Sequence, residues 1–212
     1  DYDVDGACAS AVLAAFFEQL GCSVLTHIPD RMTKGYGPNL PALEALVAQG
    51  AKLLVCVDCG TASADILNQL AGKADVVVLD HHKSEDALPA ILATVNPNRA
   101  DCSSGLGHIC AAALSFLATV ATRRTLRENG FFNASHPQPD LRPLLDLVAL
   151  ATVCDVMPLQ GVNRLFVAEG LKVMAARPRV GVAALLEIAG VSKAPERLSR
   201  SGERRVAQEG CV

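Results

Sequence analysis

Two short apolar segments in this chain run directly into an aspartate. Lys52 to Val57 (KLLVCV) is followed by Asp58, and Asp75 to Leu79 (DVVVL) is followed by Asp80, His81 and His82. Five or six residues are too few for a helix to hold itself together. Segments that are apolar at every position, bounded by polar residues and rich in β-branched side chains, read as strands buried on both faces. Such strands belong to parallel sheets, which need crossover helices above and below them. The intervening stretches supply those helices, at Ala7 to Leu20, Leu40 to Gln49 and Ala62 to Ala71. Ser23 to His27 and Ile91 to Val95 read as two further strands. From His108 to Glu128, Leu141 to Val153, Val162 to Ala176 and Val182 to Ala189 the pattern is helical. The expected fold is α/β, a parallel β-sheet with helices on both faces, followed by a helical second half.

Composition narrows the function. The 212 residues suit one domain, and a 50% hydrophobic content supplies its core. A net charge of −3 excludes a basic protein held on nucleic acid mainly by charge, and aromatic residues at 4% with no Trp leave few base-stacking platforms. The eight cysteines are scattered, several inside apolar runs, where a thiol acts as a small hydrophobe. That usage points to a reducing cytoplasm without a disulfide framework. In the Cys56-x-x-Cys59 pair, Cys56 sits on a buried strand and reads as core packing rather than a zinc or thiol redox site. Ile109 to Ala121 is too short for a bilayer span, so no membrane association is expected.

The carboxylates carry the chemical information. Ligands of open parallel sheets bind beyond the carboxyl ends of the strands. Asp58 and Asp80-His81-His82 lie at two such ends, and Asp1, Asp3 and Asp5 precede the first helix, where another strand would end. In an extended segment Asp3 and Asp5 face one side, and Gly6 then permits a sharp turn into the helix. Carboxylates crowded together stay ionised only around a cation. Several Asp with an imidazole suit Mn²⁺ or Mg²⁺, and enough ligands are present for two ions. Two ions about 3.5–4 Å apart would bind both the attacking and the leaving oxygens of a phosphoryl displacement. The plainer alternative for the Asp1–Asp5 cluster is an acidic helix N-terminus. Ser103-Ser104-Gly105-Leu106-Gly107, ahead of the long helix, is either a phosphate-approach loop or an ordinary Ser cap with glycines.

The stretches DYDVDG at 1–6, VDCG at 57–60, LDHH at 79–82 and ATVCDVMPL at 151–159 resemble the four motifs of the DHH phosphoesterases. RMTKGYGPN at 31–39, SSGLG at 103–107 and LLDLVALATVCDVMPLQGVNR at 144–164 resemble the branch of that family that digests single-stranded DNA 5′ to 3′ in repair and recombination. The resemblance implies roles for matching positions. Asp3, Asp5, Asp58, His81 and Asp155 are metal ligands, with Asp58 bridging two Mn²⁺ ions. His82 faces the scissile phosphate, and Asp1 matches a leading aspartate of uncertain role. Ser104, Gly105 and Gly107 fall where the family contacts substrate. Arg99 is a candidate phosphate contact, as are Arg31, Lys34 and Lys83. His108 stands where a small or apolar residue is expected.

The expected organisation is a DHH catalytic domain over 1–192, whose first strand lies upstream of Asp1, and a tail over 193–212 without core residues. The family continues instead into a second domain and a nucleic-acid-binding barrel, which supply most DNA contacts. Two other readings stand beside the exonuclease: a DHH phosphoesterase of small substrates (oligonucleotides, cyclic dinucleotides or pyrophosphate), and a non-catalytic metal- or nucleotide-binding α/β module.

Overall fold

The computed structural model describes residues 1–83, 87–176 and 179–191. Its elements run α1 (Val4–Gln19), α2 (Arg31–Lys34), α3 (Leu40–Ala48), β1 (Leu53–Val57), α4 (Ala64–Leu67), β2 (Asp75–Leu79), β3 (Ala93–Val95), α5 (Ala111–Glu128), α6 (Leu145–Cys154), α7 (Gly161–Ala176) and α8 (Val180–Ile188). The strands form a parallel sheet in the order β1-β2-β3.

Side chains alternate across this sheet. Leu54 and Cys56 of β1 and Val76 and Val78 of β2 pack with Leu43, Leu67 and Leu70, from α3 and the α4 region. Val57 and Leu79 face the other way, into a larger core with Val12 and Phe16 of α1 and Phe116 of α5. Helices therefore cover both faces, as two-sided apolar strands require. In the second half α6 lies against α1, α5 and α7. The approach of α6 and α7 depends on Gly170, where a Cβ would meet the Leu145 carbonyl and the Ala149 methyl.

Register aligns the strand ends. Leu53 pairs with Asp75 and Val57 with Leu79. The ladder continues one residue further, through Asp58 N–H to the Leu79 carbonyl (2.9 Å) and Asp80 N–H to the Val95 carbonyl (3.1 Å). Asp58 and Asp80 thus leave the sheet side by side.

Several boundaries depart from the sequence expectation. Ser23 to His27 is not a strand: residues 22–30 make no ladder and border a cavity of about 510 Å³ beside β1, lined by Leu13, Phe17, Leu46 and Leu53. Among the described residues no strand pairs with that edge of β1. The 62–71 helix splits into α4 and a 3₁₀ turn at Asn68–Leu70. The first helix starts at Val4 rather than Ala7, because Asp3 caps it by accepting from Gly6 N–H at 2.9 Å. Asp5 is therefore helical, and the extended Asp3-Val4-Asp5 geometry does not form. Gly6 serves close approach, since a Cβ there would lie 2.8 Å from the Asp1 carbonyl oxygen. No disulfide links the described cysteines. Residues 193–212, the expected tail, lie outside the described residues.

Candidate metal centre

The sheet ends, the first turn of α1 and the C-terminus of α6 meet at His81. Its Nε2 lies 3.2 Å from Asp58 Oδ1, 3.6 Å from Asp5 Oδ2 and 3.6 Å from Asp155 Oδ2. Two overlapping sets of donor atoms converge there, Asp58-His81-His82 and Asp5-His81-Asp155, each within 4.8 Å. The fit to a cation is tested by what these atoms lack. Both Asp58 oxygens, His81 Nε2 and Asp155 Oδ2 are buried and have no hydrogen-bond partner. Buried polar atoms are normally paired, and four orphaned donors aimed at one point are the arrangement that hard divalent ions with an imidazole ligand require.

Each of these carboxylates is placed by a separate local device. Asp58 adopts φ +60°, a conformation costly for a residue with a Cβ. Asp5, from α1, takes hydrogen bonds from Ala111 N–H (2.6 Å) and Ala112 N–H (2.8 Å). These are the free donors of α5, whose own N-cap residue Cys110 makes no side-chain cap. The carboxylate thus caps a helix 106 residues away while turning Oδ2 toward His81. Asp155 is the C-cap of α6.

Charge follows geometry. Burial pushes the Asp58 carboxyl up to about 7, with the neighbouring Asp5 and Asp3 adding to the rise. Burial likewise raises Asp155 to about 6, reinforced by Asp5, and raises Asp5 despite its backbone donors. Burial alone would lower His81, but the surrounding carboxylates outweigh it and hold the imidazole above its ordinary value. This concentration of negative charge is what a cation would relieve.

Asp80 has a different place. It accepts from the backbone N–H groups of Thr61 (3.0 Å), His81 (2.7 Å) and His82 (3.1 Å), and its Oδ1 lies 2.8 Å from His82 Nδ1. Those hydrogen bonds overcome burial and keep it well below the usual carboxylate range. It belongs to the support of the site rather than to the ion-facing set. The bond to Asp80 in turn raises His82 to about 9.

The other sequence candidates fall around this centre. Asp3 caps α1 through Oδ1 and stands near enough to raise Asp58. Asp1 bonds through its nitrogen to the Val57 carbonyl and through its carboxylate to Tyr2 N–H. Ser104 and Gly105 are exposed in the loop before α5, where the Ser104 hydroxyl accepts from Leu106 N–H. Arg99 is paired with Asp101 at 2.6 Å and with the Thr94 carbonyl. Gly107 packs on Asn98, whose Oδ1 a Cβ would meet at 2.5 Å. Lys83 is exposed beside His82, and the Lys34 side chain lies outside those described. Arg31 sits over the Tyr2 ring at 5.6 Å, and Tyr2 stacks on Tyr36 at 4.6 Å. His108 is partly buried, its carbonyl accepting from Asn163 Nδ2 and its Nε2 unpartnered.

Sequence reasoning missed the asparagines. Asn96 Nδ2 bonds the His82 carbonyl and the Thr61 hydroxyl. Asn98 Nδ2 bonds the carbonyls of His81 and Gly107. Each histidine carbonyl is thus held by one asparagine of the Asn96-Pro97-Asn98 turn. The signal available was that Asn-Pro-Asn directly follows a strand, the position from which side chains reach neighbouring strand ends.

A parallel α/β sheet with carboxylates and imidazoles gathered at its strand ends defines the class of α/β domain that can seat divalent cations at its strand ends. The model of the DHH family, N-terminal domain, matches residues 1–152, and the chain belongs to that family. It is 38% identical over 193 residues to the single-stranded-DNA-specific exonuclease RecJ of Escherichia coli, covering 89% of this chain and 33% of that protein. It is 31% identical to RecJ of Bacillus subtilis, over 90% and 22%. The chain therefore spans about a third or less of these relatives. A crystal structure of exonuclease RecJ bound to manganese superposes with a TM-score of 0.77 at 30% identity, covering 98% of this chain and 48% of that one. RecJ from Thermus thermophilus in complex with Mn²⁺ gives 0.74 at 28%, covering 100% and 28%.

Proposed function

We propose that this chain carries the hydrolytic site of a Mn²⁺- or Mg²⁺-dependent phosphodiesterase that digests single-stranded DNA, working in the cytoplasm in repair and recombination. The observation that carries this reading is the cluster of buried, unpartnered donor atoms on Asp58, His81 and Asp155. With Asp5 and Asp3 they would hold two divalent ions. Such ions, when bound, neutralise phosphate charge and make water acidic enough to attack at neutral pH.

The side chains of the site then have distinct tasks. Asp80 accepts a hydrogen bond from His82 Nδ1–H, which leaves the ring's Nε2–H free to donate to a phosphate oxygen. An imidazole raised to about 9 carries positive charge at neutral pH, where an anionic substrate is stabilised by it. Tyr36, 71% exposed and packed against Tyr2 with the ring planes inclined by 38°, offers a face for a nucleobase, with Arg31 over Tyr2. That face favours a nucleic acid over pyrophosphate. Ser104 and Gly105 line the approach; Arg99 and Gly107, already engaged with Asp101 and Asn98, act by holding it in shape. Most DNA contacts would come from parts of the RecJ relatives that this chain does not span.

The test is Mn²⁺-dependent release of mononucleotides from single-stranded DNA labelled at one end. Early release of label from the 5′ end only, abolished in Asp58→Asn, is expected. Hydrolysis confined to cyclic dinucleotides or pyrophosphate would replace the exonuclease reading with the small-substrate one. Calorimetric Mn²⁺ binding without turnover of any diester would leave a binding module.

A further inference from the structure

Val156 directly follows the ligand Asp155 and stands at φ +55°. This left-handed conformation is disfavoured for any side chain with a Cβ and most for a β-branched one. Two hydrogen bonds hold it there, Val156 N–H to the Val153 carbonyl and Met157 N–H to the Thr152 carbonyl, both 3.1 Å. They close α6 in the pattern whose left-handed position is usually glycine. Among the described residues the only other non-glycine at positive φ is Asp58, whose carboxylate lies in the metal centre. Val156 has no comparable return inside the fold. Its next neighbour, Met157, packs on the main core, whereas Val156 is 82% exposed.

We propose that Val156 is a substrate-contacting residue: its isopropyl group forms an apolar wall at the rim of the metal centre, against which the sugar or base flanking the scissile phosphate rests. Strained residues persist where function uses them. The donor groups of the centre are carboxylates and imidazoles, which act on the phosphate and not on the apolar face of the nucleoside next to it. Glycine would end α6 with less strain, yet would present no such surface. This inference rests on the phosphodiesterase reading above and names a specificity determinant within it.

The experiment compares wild type with Val156→Gly and Val156→Ala in Mn²⁺. Affinity for a hydrolysis-resistant phosphorothioate oligothymidylate is read by fluorescence anisotropy. Hydrolysis of oligothymidylate is set against bis(4-nitrophenyl) phosphate, a diester without a nucleoside, and thermal melting is recorded for each protein. In Val156→Gly, oligonucleotide affinity should drop about tenfold, the worth of roughly 60 Å² of apolar contact. The loss should enter kcat/KM mainly through KM, the oligonucleotide-to-small-diester ratio should fall at least as far as the affinity does, and the melting temperature should rise. Unchanged affinity and an unchanged ratio would overturn the proposal, as would both substrates failing together with a lower melting temperature. If the wild type hydrolyses neither diester while Val156→Gly still binds the oligonucleotide more weakly, the contact stands and the phosphodiesterase reading fails.

Discussion

His82 is joined to Asp80 by a 2.8 Å contact between Nδ1 and a carboxylate that three backbone N–H groups already hold in place. The pair orients the ring and favours its protonated form in the metal-free protein. Asp80→Asn should lower the His82 pKa from about 9 toward the ordinary imidazole range, as followed by NMR. Turnover should fall about 10–100-fold, with Mn²⁺ affinity much less affected. Equal losses in metal affinity and turnover would show that Asp80 supports the ions rather than His82.

Asp5 and Asp155 face the same imidazole but should respond differently to truncation. Asp5→Ala strands the N–H groups of Ala111 and Ala112 in the core, so it should destabilise the metal-free protein by about 2–4 kcal/mol in urea unfolding. Asp155→Ala removes a buried oxygen that has no partner, and should leave metal-free stability unchanged or raised. Both should weaken Mn²⁺ binding about 10–100-fold by calorimetry.

Metal-free stability should decline as pH rises. Asp58 and Asp155 have folded pKa values near 7 and 6 against an ordinary 3.8, so their contribution is full below the ordinary value and is lost as pH passes through the folded ones. For Asp58 the loss is on the order of 4 kcal/mol. His81 and His82, raised in the fold, act in the same direction above about pH 6.5. Asp80, held low, matters only in strong acid. Melting in chelator from pH 5 to 8 should show this decline, and the rise in melting temperature given by Mn²⁺ should be larger at pH 8 than at pH 5.5. A metal-free protein that gains stability over this range would contradict the clustering of protonated carboxyls.

Gly170→Ala should be severe although only one methyl is added. The new Cβ would overlap the Leu145 carbonyl oxygen and approach the Ala149 methyl at 2.5 Å. Neither backbone nor a buried methyl can yield, so about 3 kcal/mol or more of stability should be lost, with α6 displaced and Asp155 with it. Gly181→Ala, which meets nothing within 4 Å, is the control for helix propensity and should stabilise slightly. Chemical denaturation of the two variants measures the difference.

Much of the site could be read along the chain. The strand Asp75–Leu79 has the boundaries that β-branching suggested, and Asp58 and His81 stand at strand ends where apolar runs stop. The weakly specified pieces failed for identifiable reasons. Ser23 to His27 has strand-like residues, but a strand exists only through its ladder partner. Asp3 and Asp5 looked like an extended pair, but an aspartate next to free N–H groups starts a helix, and this shortened the extended segment.

Local pattern alone determined the two adjacent apolar strands and most of the helices, that the sheet is parallel and doubly covered, and which aspartates terminate its strands, because periodicity and residue size act within a few residues. Tertiary structure alone decided that Asp5 caps α5, that Asp80 is held by Thr61 while bonding His82, that Asn96 and Asn98 hold the histidine carbonyls, and that Val156 is strained where α6 ends. Apart from the local Asp80–His82 contact, those outcomes depend on partners 14 to 107 residues away or on how a helix ends against its neighbours. Buried donors and acceptors take whichever partner the packed core brings within reach, and sequence spacing does not encode that choice.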